Sequence, residues 1–218
     1  DSSLAAAILV AEGREVVGVT LALAGEASRC CSLEDAEDAR RVAERLGIRF
    51  YVANYRDRFR QEVIQAFADE YLAGRTPIPC VACNQRFKFH HLMERARALG
   101  AESVATGHYA RVTQDPATGR CRLLRGRDAR KDQSYYLFDL SQEQLARIEF
   151  PLGELDKPAV RERARALGLR TADKPESQEI CFVPEGRYAQ VVEAGRPERL
   201  PGAGEIVDEL GRVLGRHP

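Results

Sequence analysis

The amino-terminal part of the chain alternates between helical and strand-like spacing of its apolar residues. The nearly continuous apolar run Val16 to Leu23 is typical of a strand buried on both faces. From Leu33 to Leu46 the apolar positions recur at helical spacing, and Gly47 ends that helix. The same reasoning predicts helices at Ser3 to Glu12 and Arg56 to Ala73, and a strand at Ile48 to Ala53.

This alternation continues beyond a proline-rich interruption. The segment Thr76 to Cys80 holds two prolines, which predicts neither a helix nor a central strand there. A helix is expected from about Asn84 to Leu99, and a strand from Ser103 to Thr106 runs into Gly107 and His108. Strands separated by helices indicate right-handed crossovers, so the predicted fold class is α/β with a doubly wound parallel sheet.

The second half of the chain changes character. A β-hairpin insertion is predicted from Arg111 to Arg125. Short elements follow it, with helices at 142–148, 158–167 and 187–194, a short strand at 180–183, and two strands within 204–214. We therefore divide the chain into an α/β domain at 1–110, a hairpin and helical extension at 111–200, and the beginning of a β-rich domain at 201–218.

Charge and composition limit the possible functions. The 33 basic side chains balance 33 acidic ones, so bulk attraction to nucleic acid is excluded and any RNA contact needs a local basic patch. No apolar run approaches the roughly 20 residues of a membrane helix, and no signal or transit peptide is visible. Together with the cysteine pattern described below, this predicts a cytoplasmic protein without membrane partners.

The first three residues, Asp1, Ser2 and Ser3, stand directly before a predicted helix. Backbone N–H groups at a helix N-terminus bind phosphate, and the helix dipole favours negative charge there. The same residue types are also ordinary helix caps. The segment is therefore a candidate phosphate site whose function depends on its context.

The six cysteines include one informative pair, Cys80 and Cys83, in a CxxC spacing. In a chain of this length and type the pair favours redox, metal or sulfur chemistry over a secreted disulfide framework. Its place at the start of a predicted helix is expected to lower the thiol pKa. A half-built zinc site and two buried small residues are the alternatives, and a lone cysteine such as Cys181 is more often a core residue than a catalyst.

Two polar positions also stand out. His108 follows a predicted strand at its carboxyl end, where the ligands of open α/β sheets bind. The turn Lys131, Asp132 and Gln133 carries both charge signs and is equally consistent with a solvated loop.

Taken together, these segments resemble the bacterial and organellar tRNA-specific 2-thiouridylases, which belong to the PP-loop ATP pyrophosphatases. The resemblance covers nearly the whole chain in the family's order. The matching strings are DSS, VVGVTL, EDAEDARRVAERLGI, AGRTPIPCVACNQRFKF, ATGHYAR, LLRGRDARKDQSYYLF, FPLGELDKP, SQEICFV and GEIVDELGRVLGRHP. Of these, KDQSYYLF and SQEICFV at their observed separation are the most specific.

The resemblance implies a set of binding residues. ATP, with Mg²⁺, is expected to contact Asp1, Ser2 and Ser3, which are the last residues of the family's SGGxDSS loop, and also Leu21 and Gly107. The chain is accordingly expected to begin inside the ATP site and to end at the start of a further domain. The target base is expected at Ile78, Pro79 and Cys80, where relatives often carry Asn at the first position and Asp at the third. The positions that match tRNA-contacting residues are His108, Lys131, Asp132 and Gln133.

The resemblance also implies a two-step reaction. ATP adenylates O2 of a wobble uridine in tRNA, and the terminal sulfur of a persulfide on Cys181 then attacks C2. Cys83 matches the residue usually described as the nucleophile, and it is able to form a disulfide with Cys181. A separate sulfur-donor protein is expected to supply the persulfide sulfur.

Other functions stay open at this point. Cys80, Cys83 and Cys181 offer three thiolates for a [4Fe–4S] cluster, which would give an iron-dependent version of the same thiolation. A PP-loop enzyme that transfers nitrogen is a second alternative, although nitrogen transfer needs no thiol. A non-catalytic nucleotide sensor or zinc-stabilised RNA-binding module is a third.

Overall fold

The computed structural model of the protein describes residues 1–23, 33–175, 180–183 and 186–217. Helix α1 (Ser2–Ala11) precedes strand β1 (Val17–Ala22), helix α2 (Leu33–Leu46) and strand β2 (Arg49–Asn54). The two strands pair in parallel, with Val17 opposite Arg49 and Ala22 opposite Asn54. Each of these four elements agrees with its predicted position to within one or two residues. Cys30, Cys31 and the Ser177 to Glu179 part of the SQEICFV string lie outside the described residues.

Two long helices contain π-helical segments. Helix α3 consists of Arg56–Phe59, the π-helical turn Arg60–Ile64 and Gln65–Leu72. Helix α4 consists of Pro79–Ala82, the π-helical segment Cys83–His91 and Leu92–Ala98. π-Helical segments inside α-helices are rare and occur frequently at functional sites.

The prediction that residues 76–80 exclude a helix is wrong at its carboxyl end. Helix α4 begins at Pro79, so Pro79 and Cys80 form its first turn. Proline is tolerated at this position because its missing N–H group would have no partner within the helix. Cys80 and Cys83 therefore both lie in the opening turns of α4.

The second half of the chain contributes one strand to a parallel pair. Strand β3 (Val104–Ala105) pairs in parallel with β6 (Ile148–Glu149), while β4 (Ala110–Gln114) and β5 (Cys121–Arg125) form the predicted hairpin. Helices α5 (Gln142–Leu145), α6 (Lys157–Ala166) and α7 (Tyr188–Gly195) follow, and the antiparallel strands β7 (Gly204–Val207) and β8 (Val213–His217) end the described chain. Parallel strands connected through helices confirm the predicted α/β class.

Two predictions for short elements are wrong. Ile148 lies in strand β6 rather than at the end of a helix, because it pairs with Val104 and is buried in an apolar cluster with Phe89 and Leu137. Residues 180–183 form a turn closed by a 2.9 Å hydrogen bond from the Val183 N–H to the Ile180 carbonyl, not a strand. That turn packs Phe182 and Val183 against helix α3.

The core consists of several apolar clusters that fix these elements in place. One cluster joins α1, α2 and α6 through Leu4, Val42 and Val160. Another joins β1, β2, α3 and α4 through Leu21, Ala53, Phe59, Val63 and Phe87. Within the described ranges, no helix combines the length and the apolar composition needed to cross a bilayer. The three-domain division of the chain stays a prediction.

Candidate active site

The amino terminus of α1 meets the end of strand β3. An ideal Cβ atom on Gly107 would lie 2.6 Å from the Ser2 backbone nitrogen and 2.8 Å from the Asp1 carbonyl carbon. Only glycine allows so close an approach of two backbones. The structure therefore brings together the segments that carry Asp1, Ser2 and Gly107, which the family resemblance assigns to the ATP phosphates and adenosine.

A partly buried polar network surrounds Asp1. The Asp1 Oδ1 atom accepts hydrogen bonds from the Tyr109 hydroxyl at 3.0 Å and from the Lys157 Nζ at 2.8 Å. The Lys157 side chain is only 13% exposed, and its ammonium lies 5.7 Å from the centroid of the Tyr109 ring. The hydroxyl of Ser3 is bonded to that of Thr171 at 3.1 Å. These contacts place one cation directly beside the candidate phosphate site.

Lys157 and Tyr109 were not singled out from the sequence. Lys157 is the first residue of α6, a position where the helix dipole disfavours a cation. A lysine at this unfavourable position is a weak indication that its ammonium has a specific acidic partner. Asp1 is that partner in the structure. Tyr109 carries no comparable signal.

The thiols of Cys80, Cys83 and Cys181 converge, although Cys181 is distant from the other two along the chain. Burial raises the pKa of Cys83 to about 11, and negative charge on Cys181 and Cys80 adds to that rise. Burial also raises the pKa of Cys80, with a further contribution from Cys181. Charges influence each other this way only over short distances inside a protein, so Cys181 lies close to both residues.

Apolar packing explains how the thiols are brought together. Cys83 packs on the cluster that contains Leu21, and Phe182 packs on the same cluster. The Phe182 ring lies 5.8 Å from the Phe59 ring and 5.3 Å from the Phe67 ring, which anchors the turn next to Cys181 on helix α3. The cluster thus connects Cys83 and Phe182, the residue after Cys181, to Leu21, a residue predicted to line the adenosine pocket.

The expected lowering of the thiol pKa by the helix start is wrong for Cys80, whose pKa is raised by burial, and for Cys83. Its desolvation outweighs both the helix terminus and the ammonium of Lys88, which acts in the opposite direction. The sequence could not reveal this because the burial of Cys83 depends on α3, β1 and the distant turn at 180–183. Cys83 is consequently a protonated, weakly reactive thiol in this conformation.

We expect alkylation of native Cys83 to accelerate about tenfold per pH unit between about pH 7 and pH 10 without reaching a plateau. The reason is that the thiolate fraction keeps growing until the pH approaches a pKa of about 11. Peptide-resolved mass spectrometry on a Cys80→Ser variant measures this rate on a peptide with a single thiol. In denaturant the same thiol should react faster, and its alkylation rate should level off once the pH exceeds the ordinary thiol pKa of 9.0. A plateau below pH 8 in the native protein would contradict the burial argument.

The segment predicted to contact the target base borders the thiols. Ile78 directly precedes helix α4 and its side chain is 64% exposed, whereas Pro79 is buried. The pKa of Tyr136 is raised by its hydrogen bond with Tyr135, by burial and by negative charge on Cys80. Exposed aromatic and aliphatic side chains thus lie near Cys80, and such side chains stack on splayed bases.

His108 is 8% exposed and packs between two phenylalanines. Its ring lies 5.8 Å from that of Phe89 and 6.0 Å from that of Phe150, and its Nδ1 is 2.8 Å from the Thr106 hydroxyl oxygen. Burial, assisted by the charge of Lys88, holds the pKa of His108 well below its usual range, so the ring is neutral. Its contact with tRNA stays a prediction.

The turn at 131–133 is held rigidly in place by its own side chains. Asp132 accepts hydrogen bonds from the N–H groups of Gly126 and Ser134, at 2.9 and 3.2 Å. The Gln133 side-chain oxygen accepts from the Tyr109 N–H at 3.0 Å. Asp132 and Gln133 therefore position the loop, and the predicted contact of this turn with tRNA stays a prediction.

One group of potential metal ligands occurs among the described residues, and it does not contain the cysteines. Donor atoms of His90, His91 and Glu94 lie within 4.8 Å of one another on helix α4. Two cationic side chains lie close by. Arg58 contributes to the lowered pKa of Glu94, after His91 and His90. Arg95 donates a hydrogen bond to the hydroxyl of Tyr55, the ring on which His91 stacks. The surrounding positive charge disfavours a bound cation.

Comparison with known proteins identifies the family of the chain. Residues 1–185 match the family described as "tRNA methyl transferase HUP domain". The proteins named tRNA-specific 2-thiouridylase MnmA from Heliobacterium modesticaldum and Solibacter usitatus are both 52% identical to the whole chain, and that from Geobacter metallireducens is 53% identical. The chain spans 58%, 63% and 61% of their respective lengths.

A solved structure supports the fold. The NMN synthetase of Francisella tularensis superposes with a TM-score of 0.50 over 91% of this chain and 76% of its own, at 18% sequence identity. A likeness at that identity concerns the fold alone. Because the family match extends over most of the sequence, the chain belongs to the tRNA methyl transferase HUP domain family.

Proposed function

We propose that this chain is the nucleotide-binding part of an enzyme that replaces O2 of a wobble uridine in tRNA with sulfur, at the expense of ATP. The packing of Cys83 and of Phe182, the neighbour of Cys181, on the cluster around Leu21 is the observation that carries this proposal, together with the influence of Cys181 on Cys83. Relatives 52% identical to the whole chain are named tRNA-specific 2-thiouridylases, which favours sulfur transfer over methyl transfer.

In the first step, O2 of the uridine attacks the α-phosphate of ATP, pyrophosphate leaves, and the proton on N3 is released. The backbone at Ser2 and Ser3 would bind phosphate at the start of α1, with Gly107 allowing the close approach of the two segments. Mg²⁺ would be held chiefly by the phosphates and by the Asp1 carboxylate, and would neutralise phosphate charge. Adenylation turns a poor leaving group into a good one.

In the second step, the terminal sulfur of a persulfide on Cys181 attacks C2, and AMP leaves with the former O2. The Cys83 thiolate then attacks the Sγ atom of Cys181. A Cys83–Cys181 disulfide forms, and the sulfur on C2 is released as 2-thiouridine. An external thiol reductant restores the two cysteines, consistent with a cytoplasmic enzyme that receives its sulfur from a separate donor protein.

The raised pKa of Cys83 fits this order of events. A protonated, buried thiol does not attack the persulfide before the substrate arrives. Binding of the base next to Cys80 changes the surroundings of Cys83 at the moment when it must react. The names of the relatives give no support to the iron–sulfur alternative.

The test is a reaction of the full-length protein with unmodified tRNA, ATP, Mg²⁺ and a persulfide donor under anaerobic, iron-free conditions. Nucleoside mass spectrometry should show 2-thiouridine at the wobble position, with one pyrophosphate released per base modified. A control without ATP should give unmodified tRNA. The proposal would be contradicted if 2-thiouridine formed only when iron was bound to the protein. Release of pyrophosphate without any thiolated base would also contradict it.

A further inference from the structure

A basic cleft lies beside the candidate phosphate site, between the loop at 127–131 and helix α6. Its volume is about 710 Å³, and five basic side chains line it together with Asp128 and Glu162. The basic residues are Arg130, Lys131, Lys157, Arg161 and Arg165. In a chain whose net charge is zero, this excess of positive charge in one cleft is a local concentration rather than a property of the whole surface.

Asp128 shapes the cleft and offsets only part of its charge, because the carboxylate also lies 3.9 Å from the Nε atom of Arg130. The Asp128 carboxylate accepts hydrogen bonds from the backbone N–H groups of Lys157 at 3.1 Å and Arg130 at 3.0 Å. These bonds, first of all the one from Lys157, lower the pKa of Asp128 and connect the loop to the start of α6. Its negative charge is therefore used inside the protein, while the basic side chains extend around it.

Arg161 is the least satisfied of these cations. Its Nε atom is buried and has no hydrogen-bond partner among the described residues. By contrast, Arg165 is paired with Asp173 at 2.6 Å, and Lys157 with Asp1 at 2.8 Å. A buried guanidinium N–H without a partner is costly, so the Arg161 side chain would gain a hydrogen bond by turning toward an anionic oxygen in the cleft.

We propose that this cleft binds backbone phosphates of the substrate tRNA, with Arg161 as its central contact. This inference rests on the proposed function and assigns to that function a surface that adjoins the turn at 131–133. Phosphate oxygens are the ligands that guanidinium groups bind best. The Arg130 side chain is 86% exposed, so the cleft is open to a polymer and is not limited to a small anion.

The experiment measures the affinity of the full-length protein for tRNA by fluorescence anisotropy at several salt concentrations. Arg161→Met should weaken binding about tenfold and lower the slope of log affinity against log salt by about one, as expected for one lost phosphate contact. Arg130→Met removes an exposed side chain that the fold does not need, and it should give a smaller loss in the same direction. Arg163→Met, on the same helix but outside the cleft, is the matched control and should leave affinity and slope unchanged.

Two results would overturn the assignment. Unchanged tRNA affinity and salt slope in both Arg161→Met and Arg130→Met would show that the cleft does not hold RNA. Weaker binding of ATP or pyrophosphate in Arg161→Met, with normal tRNA binding, would assign the cleft to the phosphates of the nucleotide. Both results come from binding measurements and not from thiolation. A failure of the cleft assignment is therefore distinguishable from a failure of the proposed function, which would appear as a wild-type protein that makes no 2-thiouridine.

Discussion

Replacement of Cys181 by serine should abolish formation of 2-thiouridine, with a loss of at least about a thousandfold, while leaving adenylation intact. Serine cannot carry a persulfide, whereas the start of α1 and Gly107 are unchanged in the variant. The measurement pairs nucleoside mass spectrometry with tRNA-dependent exchange of labelled pyrophosphate into ATP. Exchange should continue at close to the wild-type rate.

Cys121→Ser is the matched control for that variant. Cys121 is another half-buried thiol, located in strand β5. Its backbone N–H donates a hydrogen bond to the side chain of Gln142, outside the group formed by Cys80, Cys83 and Cys181. The Cys121→Ser variant should thiolate tRNA at the wild-type rate. If Cys181→Ser also thiolates tRNA normally, another group carries the sulfur and the persulfide mechanism on Cys181 is wrong.

The second large effect is expected from Gly107→Ala, which should weaken ATP binding at least about tenfold. The added methyl group would lie 2.6 Å from the Ser2 nitrogen and 2.9 Å from the Asp1 Cβ, so the start of α1 must move. Backbone atoms cannot turn aside as a flexible side chain can, and the phosphate site depends on their position. Equilibrium dialysis with ATP measures the affinity directly.

Gly202→Ala provides the comparison, because an added Cβ there meets no atom within 4 Å. Its ATP affinity and melting temperature should match those of the wild type. Normal ATP affinity in Gly107→Ala would mean that the nucleotide phosphates bind away from the junction of α1 and β3.

Local patterns in the sequence were sufficient for most of the fold. The spacing of apolar residues located α1, β1, α2 and β2 because the period of the pattern differs between a helix and a strand. Ile148 was assigned to a helix because its strand partner, Val104, is distant in the sequence and leaves no local pattern. Pairing of such short strands is decided by tertiary contacts.

Many residues of the candidate site stood out in the sequence, but Lys157, Tyr109 and the electrostatics of the site did not. The DSS and CxxC segments, together with Gly107, stood out through their chemistry and through the resemblance to a known family. The reversed pKa shift of Cys83 and the unpaired Nε of Arg161 depend on burial by elements from other parts of the chain. No local rule relates those positions, so they became visible only in the folded structure.

The account depends on Cys83 and Cys181 meeting at one site during the reaction. Single turnover of the full-length protein, loaded with persulfide sulfur and trapped by rapid alkylation, allows the disulfides to be mapped by peptide mass spectrometry. We expect a Cys83–Cys181 disulfide that accumulates in step with 2-thiouridine and requires both ATP and tRNA. Formation of 2-thiouridine with both residues recovered as alkylated thiols would contradict the account.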